Sequence, residues 1–592
     1  MKHPICLTIV LFAWLCPAFA GADDRGPSAG PMADVVERYV FDRMALERKY
    51  GIPTSAEQRD RLRRFDEDDL HQLDGIDFDS LDQSGKVDYL LLTSKLRFES
   101  RQLDHEQKQI AEIRPLIPFA EAIVALEQSR HRMEKIDPEQ CAKALSDISR
   151  QIADVRRDLE GKLKDGPAHS ISKVIADRAA RTMDELHETL KQWDRFYADY
   201  NPEFTWWTKQ EYPKVDIALD GYAKFLRTKL AGYSNAEDDP VIGDPIGRDA
   251  LLDALDAEMI PYTPEELLDI ADKEFAWCEV EMKQAARDLG CGDDWHKALA
   301  KVTADHVNPG DQPALIKELA DEATKFVEDR DLVTIPALCK ETWRMEMMTP
   351  QRQKVNPYFL GGEEIQVSYP TDSMSYEDKL MSMRGNNRSF CRATVFHELI
   401  PGHCLQGFMA RRYNAHRRAF TTPFLIEGWA LYWEMRMWDL GFPRNAADRV
   451  GMLFWRAHRC ARIIFSIKFH LGQMTAPQAI DFLVERVGHE RRNATAEVRR
   501  SVSGEYGPLY QAAYMLGALQ LRALRGELVD DRKMTDKQFN DAVLRENSIP
   551  IEMIRADLTG QKLTRTFKST WRFYDELKPP PHETTSPQEG TR

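Results

Sequence analysis

The sequence lacks three features, each of which would have indicated a particular class of protein. After residue 20, no apolar run approaches the ~20 residues that a membrane-spanning helix needs, which argues against an integral membrane protein. The chain has no long basic stripe and its net charge is −15, which argues against general nucleic-acid binding. Its nine cysteines are irregularly spaced, and an odd number remains beyond Cys6 and Cys16, so no disulfide framework is indicated.

The first 20 residues have the pattern of a secretory signal peptide. A basic start precedes an apolar run over 5–15, and small residues at positions 18 and 20 match a cleavage site after Ala20. We therefore expect export to the periplasm or the medium. Lipoprotein signals carry small residues before their cysteine, whereas Trp14 and Leu15 are bulky, so lipid anchoring at Cys16 is not expected.

Most of the chain is predicted to be helical, because apolar residues recur at three- and four-residue intervals. The predicted helices are 33–50, 85–112, 119–135, 137–163, 170–196, 213–232, 263–289 and 446–472. A stretch rich in Gly, Pro and Asp over 233–248 separates the N-terminal helices from the rest. We divide the chain into a signal peptide (1–20), a flexible N-terminus (21–32), an N-terminal helical lobe (33–240), a second lobe (241–577) and a disordered tail (578–592).

The most informative stretch is H-E-L-I-P-G-H over residues 397–403, which Glu427 follows in the segment E-G-W-A. Two histidines and a later carboxylate, here His397, His403 and Glu427, are a ligand set that catalytic zinc uses, with a fourth position open to water. Glu398, beside the first histidine, is where a general base for that water would lie. The order and spacing together predict a catalytic zinc site.

The spacing of the two histidines is unusual, since the common motif has them four residues apart on one helical face. His403 follows His397 by six residues, and on an unbroken helix it would point roughly 120° away. Both can reach one metal only if the helix loosens between them. Pro401 lacks a backbone donor and Gly402 tolerates unusual dihedral angles, so we predict a local bulge there.

Two polar residues near the motif are candidates for supporting roles. Glu434 lies two helical turns after Glu427 on the same predicted face, and it would orient His397 or His403, because metal-bound histidines usually donate their other N–H. A surface charge fits Glu434 equally well. Gln406 is expected to support the site from behind, and Cys404 to point into the core as a small hydrophobe.

Two short strands are predicted just before the motif, over 357–360 and 364–369, around the turn Gly361-Gly362. An edge strand there would bind an extended peptide by strand addition, and a purely structural hairpin fits the pattern equally well. Tyr369, which ends the second strand, is a candidate substrate contact.

The motif, together with E-G-W-A-L-Y-x-E from Glu427 onward, resembles the DUF885 family of bacterial proteins. A later segment, P-L-Y-Q-A-A-Y-M-L-G over 508–517, is similar to the family's P-x-Q-x-x-S-Y-x-x-G pattern. Tyr510 stands where the family has glutamine, and Ala513 where it has serine. The family in turn resembles the helical gluzincin peptidases, the group of angiotensin-converting enzyme and carboxypeptidase Taq.

The resemblance implies a mainly α, large two-lobed helical zincin-like metallopeptidase fold, with a small β-hairpin or sheet beside the metal-binding helix. It also implies one family domain over 33–577 and one Zn²⁺ per chain, with the ligands and base named above. Tyr514 would donate its hydroxyl to the reacting oxyanion, and Arg462 and His470 would lie nearest the cleft. Arg456 and Arg459, on the same helix, are predicted to form a solvated face, and His458 and His489 are treated as structural.

The sequence thus favours an exported zinc metallopeptidase that hydrolyses peptide bonds. Binding of a substrate carboxylate by an arginine would make it a carboxypeptidase or dipeptidase. One alternative is a zinc-dependent hydrolase of a non-peptide amide or ester, and another is a helical binding protein with a vestigial metal site. The expected partner is a peptide or small amide; the sequence alone does not determine an oligomeric state or exclude another divalent metal.

Overall fold

The computed structural model describes residues 30–164, 171–234, 239–353, 358–504 and 506–577. The predicted signal peptide, most of the predicted flexible N-terminus and the predicted disordered tail lie outside the described residues. Within the described ranges the chain is mainly α-helical, which confirms the predicted fold class. No helix in these ranges is long and apolar enough to cross a membrane.

The helices before residue 260 are α1 (Pro31–Tyr50), α2 (Ala56–Asp74), α3 (Gln83–Ile113), α4 (Ala120–His131), α5 (Pro138–Lys164), α6 (Lys173–Tyr197), α7 (Pro202–Thr208), α8 (Glu211–Phe225) and α9 (Gly247–Ala257). A π-helical turn, Leu226–Ala231, extends α8. Each predicted helix in this part is present with nearby ends. The predictions omitted α2, whose apolar residues are few among its many charges, and the short helices α7 and α9.

The helices from residue 264 onward are α10 (Pro264–Asp288), α11 (Trp295–Thr303), α12 (Gln312–Asp329), α13 (Ala337–Thr342), α14 (Pro350–Gln353), α15 (Tyr376–Gly385), α16 (Arg388–Glu398), α17 (His403–Ala410), α18 (Pro423–Asp439), α19 (Ala446–His470), α20 (Ala476–Phe482), α21 (Arg491–Val502), α22 (Tyr510–Arg525), α23 (Asp536–Arg545) and α24 (Ile551–Thr559). The start of α10 follows from a complete capping box, in which Thr263 and Glu266 satisfy each other's backbone N–H groups.

A small sheet is present, but its pairing differs from the predicted hairpin. Strand β2 (Glu364–Val367) pairs in parallel with β1 (Arg344–Met347), which the sequence analysis did not predict. The predicted first strand contributes a single antiparallel bridge, Leu360 to Gln366. Beyond Leu360 the chain contacts the segment 397–403, where Gly362 N–H donates to the carbonyl oxygen of Glu398 at 3.3 Å and not to a strand partner.

The buried apolar side chains form two clusters. The smaller cluster draws on Ile52 and residues 113–231, and it is the core of the packed helices α4 to α8. The larger cluster joins α1–α3 to the helices from α9 onward. The predicted lobe boundary near residue 240 stays a prediction. The segment 397–403 lies within the larger cluster.

Candidate metal centre

The helix that carries the first histidine is broken before the second. Helix α16 ends at Glu398 and α17 begins at His403. The N–H of Gly402 donates back to the carbonyl oxygen of Phe396 at 3.0 Å, and a Cβ atom at residue 402 would collide with the carbonyl oxygen of His397. Only glycine fits at 402. The predicted loosening is therefore present, as a complete break rather than a bulge.

This break brings both histidines to one carboxylate. The ligand atoms of His397, His403 and Glu427 all lie within 4.8 Å of one another. Glu427 Oε2 is 3.3 Å from Nε2 of His403 and 3.8 Å from Nε2 of His397. That oxygen is buried and, among the described residues, has no hydrogen-bond partner. Two imidazole nitrogens and one orphaned carboxylate oxygen fit the preferences of Zn²⁺.

The electrostatics of the triad are those of tightly coupled charges. Burial alone would raise the pKa of Glu427, but His403 and His397 outweigh it and hold that pKa well below its usual range. Burial likewise opposes the charged form of His397, and the neighbouring carboxylates of Glu427 and Glu434, the second hydrogen-bonded to its Nδ1, overcome that effect and raise the pKa of His397 to about 9. Without a metal, the carboxylates of Glu427 and Glu434 thus favour the protonated, imidazolium form of His397. A divalent cation bound at the triad would replace the positive charge of that proton.

Glu434 fixes the orientation of His397. Its Oε1 lies 2.6 Å from Nδ1 of His397, which leaves Nε2 for the triad. Both side chains are almost fully buried, so Glu434 is not a surface charge. Gln406 lines the cavity beside the triad, and its amide donates to the carbonyl oxygen of Leu425 at 3.0 Å, which ties α17 to α18. Cys404 points into the core, 3.9 Å from the sulfur of Cys339.

Glu398 lies between the triad and a glycine turn. Burial raises the pKa of its carboxyl, and the nearby His397 and His403 partly offset that effect. The side chain packs against Gly361, where any Cβ atom would collide with the Glu398 carboxylate. A carboxylate with a raised pKa beside a metal centre suits proton transfer.

A second pair of helices brings tyrosines to the triad. Helices α18 and α22 pack at their backbones, because Gly428 and Gly517 face each other and a Cβ atom on either would collide with the other helix. This contact lets the Tyr510 hydroxyl donate to Oε1 of Glu427. The Tyr514 ring lies parallel to the ring of His397, with 6.3 Å between their centres.

The arginines of α19 are buried, which corrects the predicted solvated face. Arg456 and Arg459 are 6% and 5% exposed, because almost every residue of α19 is enclosed by other helices. Arg456 donates to Glu274 at 2.9 Å and stacks on Trp277. Arg459 lies 3.6 Å from Oε1 of Glu434, so it belongs to the surroundings of the site.

The other predicted residues divide into two groups. Arg462 lies at the site: its Nε donates to Glu497 at 2.7 Å and its guanidinium stacks on Tyr514. His470 and Tyr369 are not among the residues that line the cavity beside the triad. His470 ends α19, where burial lowers its pKa to about 4. In the same interior, the imidazoles of His458 and His489 lie 2.9 Å apart as a buried pair.

The triad opens into a cavity of about 470 Å³. Polar side chains dominate the lining near the triad, and these are Glu398, Arg459, Arg462, Arg500, Tyr506, Tyr510 and Tyr514. No sequence pattern predicts a role for Arg500, Tyr506, Tyr510 or Glu497. The position of Tyr510, four residues before Tyr514, could have indicated its place at the site, because residues four apart share a helical face. Arg500 and Tyr506 carry no local signal, since Arg500 reaches the cavity from α21 and Tyr506 from the segment that follows this helix.

The chain belongs to the DUF885 family. The family model, described as "bacterial protein of unknown function", matches residues 45–558. Its fold is similar to that of a solved structure described as a putative lipoprotein of unknown function from Shewanella oneidensis, with 16% identity and a TM-score of 0.65 over 90% of this chain and 100% of that one. A second, described as a putative lipoprotein from Colwellia psychrerythraea, has 16% identity and a TM-score of 0.56 over 89% and 97% of the two chains. No curated protein matches this sequence.

Proposed function

We propose that this protein is an exported zinc-dependent metallopeptidase, with Glu398 as general base. The observation that carries the proposal is the convergence of three potential metal-ligating atoms from His397, His403 and Glu427 beside a second acidic residue, Glu398, at the wall of one cavity. Structural zinc sites usually have four protein ligands. Among the described residues, the triad has no fourth His, Cys, Asp or Glu in its ligand group, which favours a catalytic site.

The chain's own residues divide the chemistry between them. A bound zinc ion would supply Lewis acidity for a carbonyl oxygen and lower the pKa of a water molecule toward ~7. Glu398 accepts the proton of the attacking water and returns it to the leaving amine. Glu434 and Tyr510 hold His397 and Glu427 in place through their hydrogen bonds. Tyr514, stacked under Arg459 and Arg462, is the proposed hydroxyl donor to the developing oxyanion.

The proposal is tested first by metal content. Purified protein should hold about one equivalent of zinc, and His403→Ala should hold little. The matched control is His296→Ala, because His296 lies outside the triad on α11 and its loss should leave zinc binding intact. A parent protein that neither contains nor takes up zinc would refute the metal site and leave the helical binding protein as the better assignment.

A turnover assay then distinguishes a peptidase from a hydrolase of esters or non-peptide amides, and it tests Glu398 as the general base. Zinc-loaded protein is assayed on dipeptides, oligopeptides and an ester panel, beside Glu398→Gln and the control Glu279→Gln, whose partner is Arg486 on the surface. We expect Glu398→Gln to keep zinc and lose turnover by a factor of 100 or more. Hydrolysis of esters or non-peptide amides alone would favour the second hydrolase class, and a fully active Glu398→Gln would rule out the proposed base.

Export is the second part of the proposal. The two structural neighbours are described as lipoproteins, and this chain begins with the predicted signal peptide. Cell fractionation of the tagged full-length protein and of its Cys16→Ala variant distinguishes a soluble exported protein from a lipid-anchored one. Release of both chains as soluble protein agrees with cleavage after Ala20. Membrane association that Cys16→Ala abolishes would identify a lipid anchor, and recovery in the cytoplasm would refute export.

A further inference from the structure

Four arginines line the cavity beside the triad: Arg352, which is exposed, and Arg459, Arg462 and Arg500, whose charges are incompletely neutralised. Arg459 and Arg462, on one side of α19, are 5% and 3% exposed, and Arg500 reaches the same cavity from α21. Glu497 is paired with Arg462, and Glu434 is shared between Arg459 and His397. No carboxylate of the described residues lies within ion-pairing distance of Arg500. Arg500 therefore brings to the cavity a positive charge that no carboxylate pairs directly, although Glu398 and Glu427 are also part of the lining.

Several nitrogen atoms of these guanidinium groups are buried without partners. Arg462 Nη1, Arg459 Nε and Arg500 Nε form no hydrogen bond within the described part of the chain. An unpaired buried donor is costly, and the cost is higher on a charged group. Aromatic rings hold the groups in place, since Arg459 and Arg462 stack on Tyr514 and Arg500 stacks on Tyr506. Such a pre-positioned cluster suits a planar anion that accepts several hydrogen bonds.

We propose that Arg459, Arg462 and Arg500 form a carboxylate subsite for the substrate. The inference rests on the proposed peptidase function and narrows it to substrates that carry a carboxylate near the scissile bond. The Arg462 guanidinium is 4.5 Å from the ring centre of Tyr514, which is 6.3 Å from the ring of His397. Because an extended residue spans about 3.4 Å, the carboxylate lies within three residues of the triad.

Two chemical sources fit this subsite, namely the α-carboxylate of a peptide's C-terminus and an acidic side chain. A C-terminal source makes the protein a carboxypeptidase or a dipeptidase, since cleavage occurs within a few residues of the end. An acidic side chain instead gives specificity for aspartate or glutamate close to the scissile bond. Both sources share the carboxylate, and amidated probes separate them.

Arg500 is the residue to change, because Arg462→Met would leave Glu497 buried without its partner. Arg500→Met removes the charge and keeps the length, and Arg500→Lys restores charge without the planar fork. The matched control is Arg499→Met, since Arg499 lies next on the same helix and donates to the backbone of Asp239. All are made in zinc-loaded Glu398→Gln protein, so that binding is measured without turnover.

Calorimetric titration compares an N-acetyl dipeptide with a free carboxylate, its C-terminal amide, and an amide with a glutamate side chain. We expect a carboxylate-bearing probe to bind at least 10-fold more tightly than the neutral amide. Arg500→Met should remove most of that preference, Arg500→Lys should restore part of it, and Arg499→Met should keep it. Tighter binding of the dipeptide with the free C-terminal carboxylate identifies a C-terminal source. Tighter binding of the amide with the glutamate side chain identifies an acidic side chain as the source.

Equal binding of all three probes would overturn the subsite. A carboxylate preference that survives Arg500→Met would also overturn it, because the carboxylate would then bind the metal itself. These outcomes are independent of peptidase activity. An Arg500-dependent preference without peptide cleavage by the parent protein supports the subsite and refutes the peptidase assignment. Cleavage at equal rates of peptides with a C-terminal carboxylate, with an acidic side chain and with neither supports the peptidase and refutes the subsite.

Discussion

At the scale of single residues, the candidate site depends on what each ligand's other atoms contact. His397 offers Nε2 to the triad because Glu434 occupies its Nδ1, and Glu427 offers Oε2 because the Tyr510 hydroxyl occupies Oε1. Each ligand is therefore held in one orientation before a metal arrives. Such pre-orientation raises metal affinity, because less side-chain freedom is lost on binding.

Replacing Glu434 by glutamine should weaken zinc binding about 10-fold or more, because a neutral amide orients His397 less strongly than a carboxylate does. Competition with a chromophoric chelator measures the affinity. The control is Glu274→Gln, which also removes a buried carboxylate bonded to α19 but does not touch a ligand. Unchanged zinc affinity in Glu434→Gln would show that the hydrogen bond does not position His397.

At the scale of elements, two backbone features assemble the site. The break between α16 and α17 turns His403 toward His397, and it depends on the close approach of Gly402 to a carbonyl oxygen. The contact between α18 and α22 at Gly428 and Gly517 carries Tyr510 to Glu427. Both features need the absence of a side chain, so a larger residue must move a helix.

Gly402→Ala should displace α17 and reduce zinc content, with a loss of about 2–3 kcal/mol in the free energy of unfolding of the metal-free protein. Zinc analysis and urea denaturation measure the two effects. Gly407→Ala is the matched control, because it lies on α17 with open space at its Cβ position. In that variant zinc should be retained and stability should rise by about 0.5–1 kcal/mol. Full zinc content in Gly402→Ala would contradict the proposed role of the break.

At the scale of the whole molecule, the site lies in the larger apolar cluster, where α16, α18, α19 and α22 pack together. Burial there concentrates charge, with Arg456, Arg459, Arg462 and Glu497 all enclosed. Glu497 shows the effect: burial opposes its charge, yet Arg462 and Arg500 lower its pKa to about 2. Metal binding and the stability of this core should therefore be linked.

Removing the metal should lower the thermal unfolding temperature. Free zinc at about 1,000 times its dissociation constant contributes about 4 kcal/mol to the native state, so dialysis against a chelator should lower Tm by a few degrees. Differential scanning calorimetry before and after re-addition of zinc measures the change. His403→Ala supplies the control, because the chelator should not shift its Tm. An equal shift of Tm in His403→Ala would show that the chelator acts at a site other than the triad.

The sequence determined the helical class, the positions of α1, α3–α6, α8, α10 and α19, and the members of the triad. Its local patterns sufficed because helix formation depends on residues three and four apart, and because the metal motif is compact. It also predicted that the helix must open between His397 and His403, since 3.6 residues per turn cannot place both on one face.

Only the tertiary structure decided the rest. The parallel pairing of β1 with β2, the burial of Arg459 and the position of Arg500 in the cavity all depend on contacts between residues distant in sequence. The same holds for the hydrogen bond from Tyr510 to Glu427. A charged residue looks the same in a local pattern whether it faces solvent or a buried partner, so its role follows only from what the fold packs against it.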